Sequence, residues 1–222
     1  MDLLDIPIAT LARELPGAAA LFDRYDLQYC CDGNKTLQDV FAEHPLDREQ
    51  LLDELHTLIA QPVVKSEQDW REASDSELVE HLLQRYHQVH RRQLADLIHL
   101  AQKVENTHGD HPACPQGLAD HLRTMAAELE QHMQKEEMIL FPMLCRGQGD
   151  MAGGPIRVML GEHDDHAAAI EQIDALTGGI TLPDSACNSW RGLYTGLQAF
   201  TRDLQKHIQL ENDILFARHL AA

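Results

Sequence analysis

HMQKEEMILF at residues 132–141 and HIQLENDILF at residues 207–216 agree in six places, at His, Gln, Glu, Ile, Leu and Phe. A second paired element precedes each copy, His87-x-x-His90 before the first and His163-x-x-His166 before the second. The separations nearly match, His132 falling 45 residues after His87 and His207 falling 44 after His163. The second half of the chain therefore reads as a duplicate of the first. Within each copy His and Glu stand four apart, so on a helix His132 and Glu136, like His207 and Glu211, lie one above the other on one face. Turn signals fall near the midpoint of each ligand pair: Gly109-Asp110-His111-Pro112, Gly147-Gln148-Gly149-Asp150 and Pro183-Asp184-Ser185. A chain that reverses at those turns brings all four elements to one level. That is an all-α, up-down-up-down four-helix bundle with a metal site in its core.

Outward from the repeat, the periodicity predicts helices over about 75–107, 115–146, 155–176 and 183–219. Ser74-x-x-Glu77 is a capping box for the first of them, and Gly178-Gly179 stops the third. Pro115 suits a first helical turn, Pro142 predicts a kink near the end of the second helix, and Gly192 and Gly196 are weak points in the fourth. Residues 1–62 have a different character. Four short apolar-periodic runs, Ile8 to Leu15, Ala18 to Tyr25, Leu37 to Phe41 and Asp47 to Ile59, are broken by Pro16, Gly33 and Pro45. They predict a small helical N-terminal domain, followed by a linker at 63–75 and the bundle at 76–222.

Composition limits the partners. A formal charge of −18 repels phosphate backbones and anionic membranes, so nucleic acid and membrane surfaces are not expected ligands. No apolar run reaches the roughly 18 residues of a transmembrane helix, and the acidic Met1-Asp2-Leu3-Leu4-Asp5 lacks the basic character of a secretory signal. A cytoplasmic protein is expected. The five cysteines form no framework spacing and read as reduced thiols. Cys114, Cys145 and Cys187 are isolated. The vicinal Cys30-Cys31, within Tyr29-Cys30-Cys31-Asp32-Gly33, is either a buried apolar pair or an exposed thiol pair able to exchange disulfides or hand thiolate ligands to a partner.

Four histidines and two glutamates at one level suit a dinuclear centre, because imidazole binds iron, zinc, copper or nickel and a carboxylate can bridge two metals. Ferritin-like sites use four carboxylates and two histidines; here nitrogen ligands outnumber carboxylates. The expected division gives His87 and His132 to one metal and His163 and His207 to the other, with Glu136 and Glu211 spanning both. Spacing alone does not choose between His87 and His90, or between His163 and His166. Glu128, four residues before His132, and Glu162, next to His163, are candidates to orient an imidazole or relay protons. Glu137, Asp164 and Asp165 read as solvated, and Tyr86 and Met138 as core.

The order Tyr-Cys-Cys, His87, His132-x3-Glu136, His163, His207-x3-Glu211 resembles the RIC (repair of iron centres) proteins, the YtfE/ScdA family. Arg85-Tyr86-His87, Lys135-Glu136-Glu137-x-Ile139-Leu140-Phe141-Pro142 and Glu162-His163-Asp164 carry the likeness. It covers an ScdA-type N-terminal domain and a hemerythrin-like domain. The resemblance implies two non-haem irons per chain, oxo- and carboxylate-bridged, on His87, His132, Glu136, His163, His207 and Glu211. It further implies a thiol role for Cys30 and Cys31, although Asp32 stands where the family usually has glycine. The implied activity is repair of iron–sulfur proteins damaged by nitrosative or oxidative stress, by donation of iron. Reduction of nitric oxide, or carriage or sensing of nitric oxide or oxygen, are the alternatives. The N-terminal module is expected to meet a bundle, its own or that of a second chain in a homodimer.

Overall fold

The structure, a computed structural model, describes residues 3–15, 17–25, 27, 35–43, 46–59 and 70–220. Among them the chain is helical, its one extended pairing a bridge between Pro7 and Thr36. Helices α1 (Ile8–Glu14), α2 (Ala18–Arg24), α3 (Leu37–Glu43) and α4 (Arg48–Ile59) precede the bundle. The first limb is α5 (Asp75–Leu82), a π-helical turn at Leu83–His87, and α6 (Gln88–His108). The second is α7 (Leu118–Lys135), a π-turn at Glu136–Leu140, and α8 (Phe141–Cys145). A regular α9 (Gly153–Thr177) makes the third, and α10 (Asn188–Leu210), a π-turn at Glu211–Phe216 and α11 (Ala217–Leu220) the fourth. α6 packs on α7 and α10, α7 on α9, and α9 on α10, so the four limbs close into a ring.

The limb ends follow local chemistry. Ser74 and Glu77 form the reciprocal capping box, Ser74 Oγ accepting the Glu77 N–H and Glu77 accepting the Ser74 N–H at 2.9 Å. Gly178, in the left-handed region at φ 63°, ends α9. Two limbs start later than their prolines suggest. At Pro115 a turn forms first, the Leu118 N–H reaching the Pro115 carbonyl (3.1 Å), and Glu105 of α6 accepts the otherwise orphaned Ala119 N–H at 2.9 Å. Pro183 likewise opens a turn, closed by the Ala186 N–H at 3.0 Å, and α10 begins five residues on. Pro142 does not kink a continuous helix. It falls in the first turn of α8, just past a π-turn, where proline is best tolerated.

All four limbs cross from one apolar core to another at the histidine level. Leu94, Leu129, Met133, Ile170 and Leu204 belong to the larger cluster, and Leu82, Tyr86, Leu140, Met159, Leu215 and Phe216 to the smaller one at the other end. His87, His163 and His207 lie between them in their limbs, and His132 lies at the edge of the larger one, just before Met133. The N-terminal helices pack on the larger core: α1 lies against α10 and α2 against α6, with Ile8, Leu11, Leu21 and Phe22 in the same cluster as Trp190 and Leu197. Gly196 is less a weak point than a close approach, because a Cβ there would stand 2.8 Å from Leu97 Cδ2 of α6.

Gly17 fastens α2 to the bundle. Its backbone N–H donates to Asp96 of α6, its φ is +87°, and a Cβ would meet Leu58 Cδ2 at 2.9 Å. Gly17→Ala is expected to cost about 1–2 kcal/mol in left-handed strain before the Leu58 overlap is added. A drop in thermal midpoint of several degrees checks this.

Candidate metal centre

The spacing of inward residues explains the π-turns. The first limb buries Leu78, Leu82, Tyr86, His90 and Leu94, the second His132, Glu136, Leu140 and Leu144, and the fourth His207, Glu211 and Leu215, all in four-residue steps. On a helix of 3.6 residues per turn each such step drifts by about 40°. The wider π-turn absorbs the accumulated drift and keeps both the ligands and the following apolar residues facing inward. In the third limb Ile156, Met159, His163, His166, Ile170 and Ile173 alternate threes and fours, and no π-turn occurs there. Each π-turn begins or ends on a candidate ligand: His87, Glu136 and Glu211.

The six expected residues converge. His87, Glu136, His207 and Glu211 present one atom each, all within 4.8 Å of one another, and His132, Glu136, His163 and Glu211 do the same. The sequence division is thereby corrected: His87 shares a group with His207 and His132 with His163, because the first limb packs on the fourth and the second on the third. Both glutamates belong to both groups. His132 Nε2 and His163 Nε2 stand 3.1 Å apart, the separation of two neighbouring ligands on one ion at metal–nitrogen distances of about 2.1 Å. His207 Nε2 lies 3.0 Å and His163 Nε2 3.2 Å from Glu211, and His87 and His132 Nε2 each 3.4 Å from Glu136.

This cluster fits metal better than it fits itself. Glu136 and Glu211 are fully buried, and both oxygens of Glu136 and one of Glu211 lack a hydrogen-bond partner among the described residues. Two buried carboxylates facing one another are costly unless cations lie between them. Burial and the charge of Glu211 push Glu136 up, yet the facing His132 and His87 imidazoles leave it below its ordinary value. Burial likewise opposes ionisation of Glu211, and His207 and His163 hold it well below the usual carboxylate range. Burial pulls the His132 imidazolium down, but Glu136, Glu211 and Glu162 raise it to about 9.

A pH dependence follows for the metal-free chain. The raised His132 contributes stability that is fully present below its ordinary 6.5 and is lost as pH climbs through about 9. A metal must displace the same proton, so uptake is expected to tighten across that window with proton release. Metal titrations at the two ends of the window, with released acid measured alongside, check both signs.

The outer ring nitrogens fix which atoms face inward. His87 Nδ1–H donates to Glu137 (2.8 Å), which pairs with Arg91 at 3.0 Å. His132 Nδ1–H donates to Glu162 (2.9 Å), itself paired with Lys135, and His163 Nδ1–H donates to Asn212 (2.7 Å). Such acceptors orient an imidazole and raise its basicity. Glu162 therefore sits where an orienting group belongs, whereas Glu128 is exposed to solvent and touches no ligand. Two expectations are overturned. Glu137 is not merely solvated but holds His87, and Met138 is 76% exposed because the π-turn rolls it outward. Sequence reading missed Asn212 altogether, although Glu137 and Asn212 occupy the same place in the repeat, one past the ligand glutamate.

His90 and His166 belong to neither group. Both are buried one turn further along, His90 against His207 and His166 edge-on to His132 at 5.0 Å. Burial drives both imidazoles towards neutrality, His166 to about 4. Cys30 and Cys31 lie outside the described residues.

Fold and site together define a hemerythrin-like bundle carrying a paired histidine–glutamate centre. The family model described as the hemerythrin HHE cation binding domain matches residues 78–218, and ScdA_N, a domain of unknown function, matches residues 4–59. Three relatives are each called iron-sulfur cluster repair protein YtfE. That of Citrobacter koseri is 46% identical over 221 residues, covering 100% of this chain and 99% of its own. That of Dickeya chrysanthemi is 46% identical over 220 residues, covering 99% of each, and that of Escherichia coli 45% over 221, covering 100% and 99%. The chain belongs to the hemerythrin-like RIC family of YtfE/ScdA type. No helix among the described residues is long and apolar enough to cross a membrane.

Proposed function

We propose that the chain is a di-iron protein that restores damaged iron–sulfur clusters by giving up iron. The observation that carries this reading is the pair of buried glutamates, three of their four oxygens without a hydrogen-bond partner among the described residues, at the level where four imidazoles converge. His87 and His207 would hold one iron, His132 and His163 the other, with Glu136 and Glu211 spanning both. Bound there, iron would supply a cation for transfer and open positions for small ligands such as nitric oxide or oxygen. The relatives' name supports the repair role. Imidazole and carboxylate grip ferrous iron less firmly than the thiolates of a cluster hold theirs, so the donor set suits release. Glu137, Glu162 and Asn212 keep the imidazoles aimed, and the two apolar cores limit water. In the same reading Cys30 and Cys31, on the N-terminal domain, act as thiols in the exchange, and the work is done in the cytoplasm.

The test is recovery of an iron–sulfur enzyme inactivated by nitric oxide. The iron-loaded protein is expected to restore its activity in proportion to iron supplied, not catalytically, and the Glu136→Leu, Glu211→Leu double variant to restore none. Equal repair by both proteins would defeat the reading. Sustained consumption of nitric oxide without iron loss would make it an enzyme instead.

A further inference from the structure

The repeat that relates limbs one and two to limbs three and four also relates the outer partners of the histidines, with one break. His87 and His163 correspond, and each donates to the residue after the next limb's ligand glutamate, Glu137 at 2.8 Å and Asn212 at 2.7 Å. His132 and His207 correspond too. His132 donates to Glu162, the residue before His163, at 2.9 Å. The residue before His87 is Tyr86, whose ring stacks on His207 with centroids 5.2 Å apart and planes 8° from parallel. That stacking orients the ring but gives Nδ1 no acceptor. His207 Nδ1 is buried and has no hydrogen-bond partner among the described residues.

A second feature lies on the surface. A pocket of about 410 Å³ is lined by Gln88, Arg91, Glu137, Phe141 and Cys145, among others. Glu137 is the group that holds His87, and the Phe141 ring lies 5.6 Å from that of His87. The pocket is thus separated from His87, one of the histidine pair that lacks an anchor, by Glu137 and Phe141, which contact that ring and line the pocket.

We infer that the two metal positions are held unequally, and that the ion on His87 and His207 is the one the protein gives up, leaving on the side of the pocket lined by Arg91 and Glu137. The inference rests on the donor reading above. Transfer would be a ligand exchange without oxidation or reduction: bonds to the His87 and His207 nitrogens and to the Glu136 and Glu211 oxygens break as bonds to the acceptor's own donors form, and both carboxylates stay with the remaining ion. An outer acceptor on a ligating imidazole is worth about 10–100-fold in metal affinity. His132 and His163 both have one, and only one of the other two does.

The experiment is anaerobic iron loss from the full-length, ferrous-loaded protein to excess bipyridine, followed by the colour of the product. The wild type is expected to release its iron in two phases of equal size whose rates differ about tenfold or more. Glu162→Leu should accelerate only the slow phase, by about tenfold, with Glu162→Gln, which keeps an acceptor, falling between. Glu137→Leu should accelerate only the fast phase. A single phase in the wild type, or a Glu162→Leu effect confined to the fast phase, would overturn the inference and leave the donor reading standing. A wild type that loads no iron would overturn both.

Discussion

A chain in which Glu136 and Glu211 are both leucine is expected to bind no iron and, above about pH 9 where His132 has lost its proton, to unfold no earlier than the metal-free wild type. Each glutamate contributes to both ligand groups, so losing the pair removes half the donors of each. The stability expectation comes from the same atoms. In the absence of metal the two carboxylates are buried, mutually repelling and short of hydrogen bonds. Replacing a buried ion pair whole by packed apolar side chains is commonly neutral or stabilising by about 1–4 kcal/mol, whereas removing one side of it leaves the other charge uncompensated. Relief is therefore confined to high pH, because at lower pH His132, which those carboxylates raise against its burial, loses its counter-charge. Iron analysis and thermal unfolding of the metal-free proteins check the two halves separately. A double variant that still binds iron would show that the glutamates are structural.

Phe216→Ala is expected to cost about 3–5 kcal/mol, as full removal of a buried aromatic ring does. Phe216 is completely buried in the smaller core, at the end of the third π-turn. Its ring also lies nearly parallel to that of His163, 5.9 Å away. The loss should therefore be double: earlier urea unfolding, and weaker metal binding because His163 is freed to turn. Metal binding should partly offset the instability, since it acts on the folded state alone. A variant that unfolds early but binds metal as tightly as the wild type would separate the smaller core from the centre.

Much of the centre was legible because ligation leaves a pattern that packing does not. A duplicated His-x3-Glu with matched upstream histidines fixed the four limbs and their common level. Pairing of the histidines was not legible, since it depends on which limbs are neighbours. The π-turns left a trace that went unread: unbroken four-residue steps such as His132, Glu136, Leu140 and Leu144 cannot stay inward on a regular α-helix. Reading Glu137 as solvent-facing assumed a regular α-helix. Asn212 could have been found from its repeat partner once Glu137 had a role. Helix starts at Pro115 and Pro183 went astray because proline is as well suited to a turn as to a first helical position, and the Glu105 cap comes from another limb.

The most direct measurement of the central claim is iron per chain, with the visible spectrum, on protein prepared with and without added iron. Two irons per chain with the absorption of an oxo-bridged ferric pair, both lost in the Glu136→Leu, Glu211→Leu chain, is the result expected. A fully helical protein that takes up no iron, or only zinc, would contradict it and leave the converging histidines and glutamates without the role assigned to them.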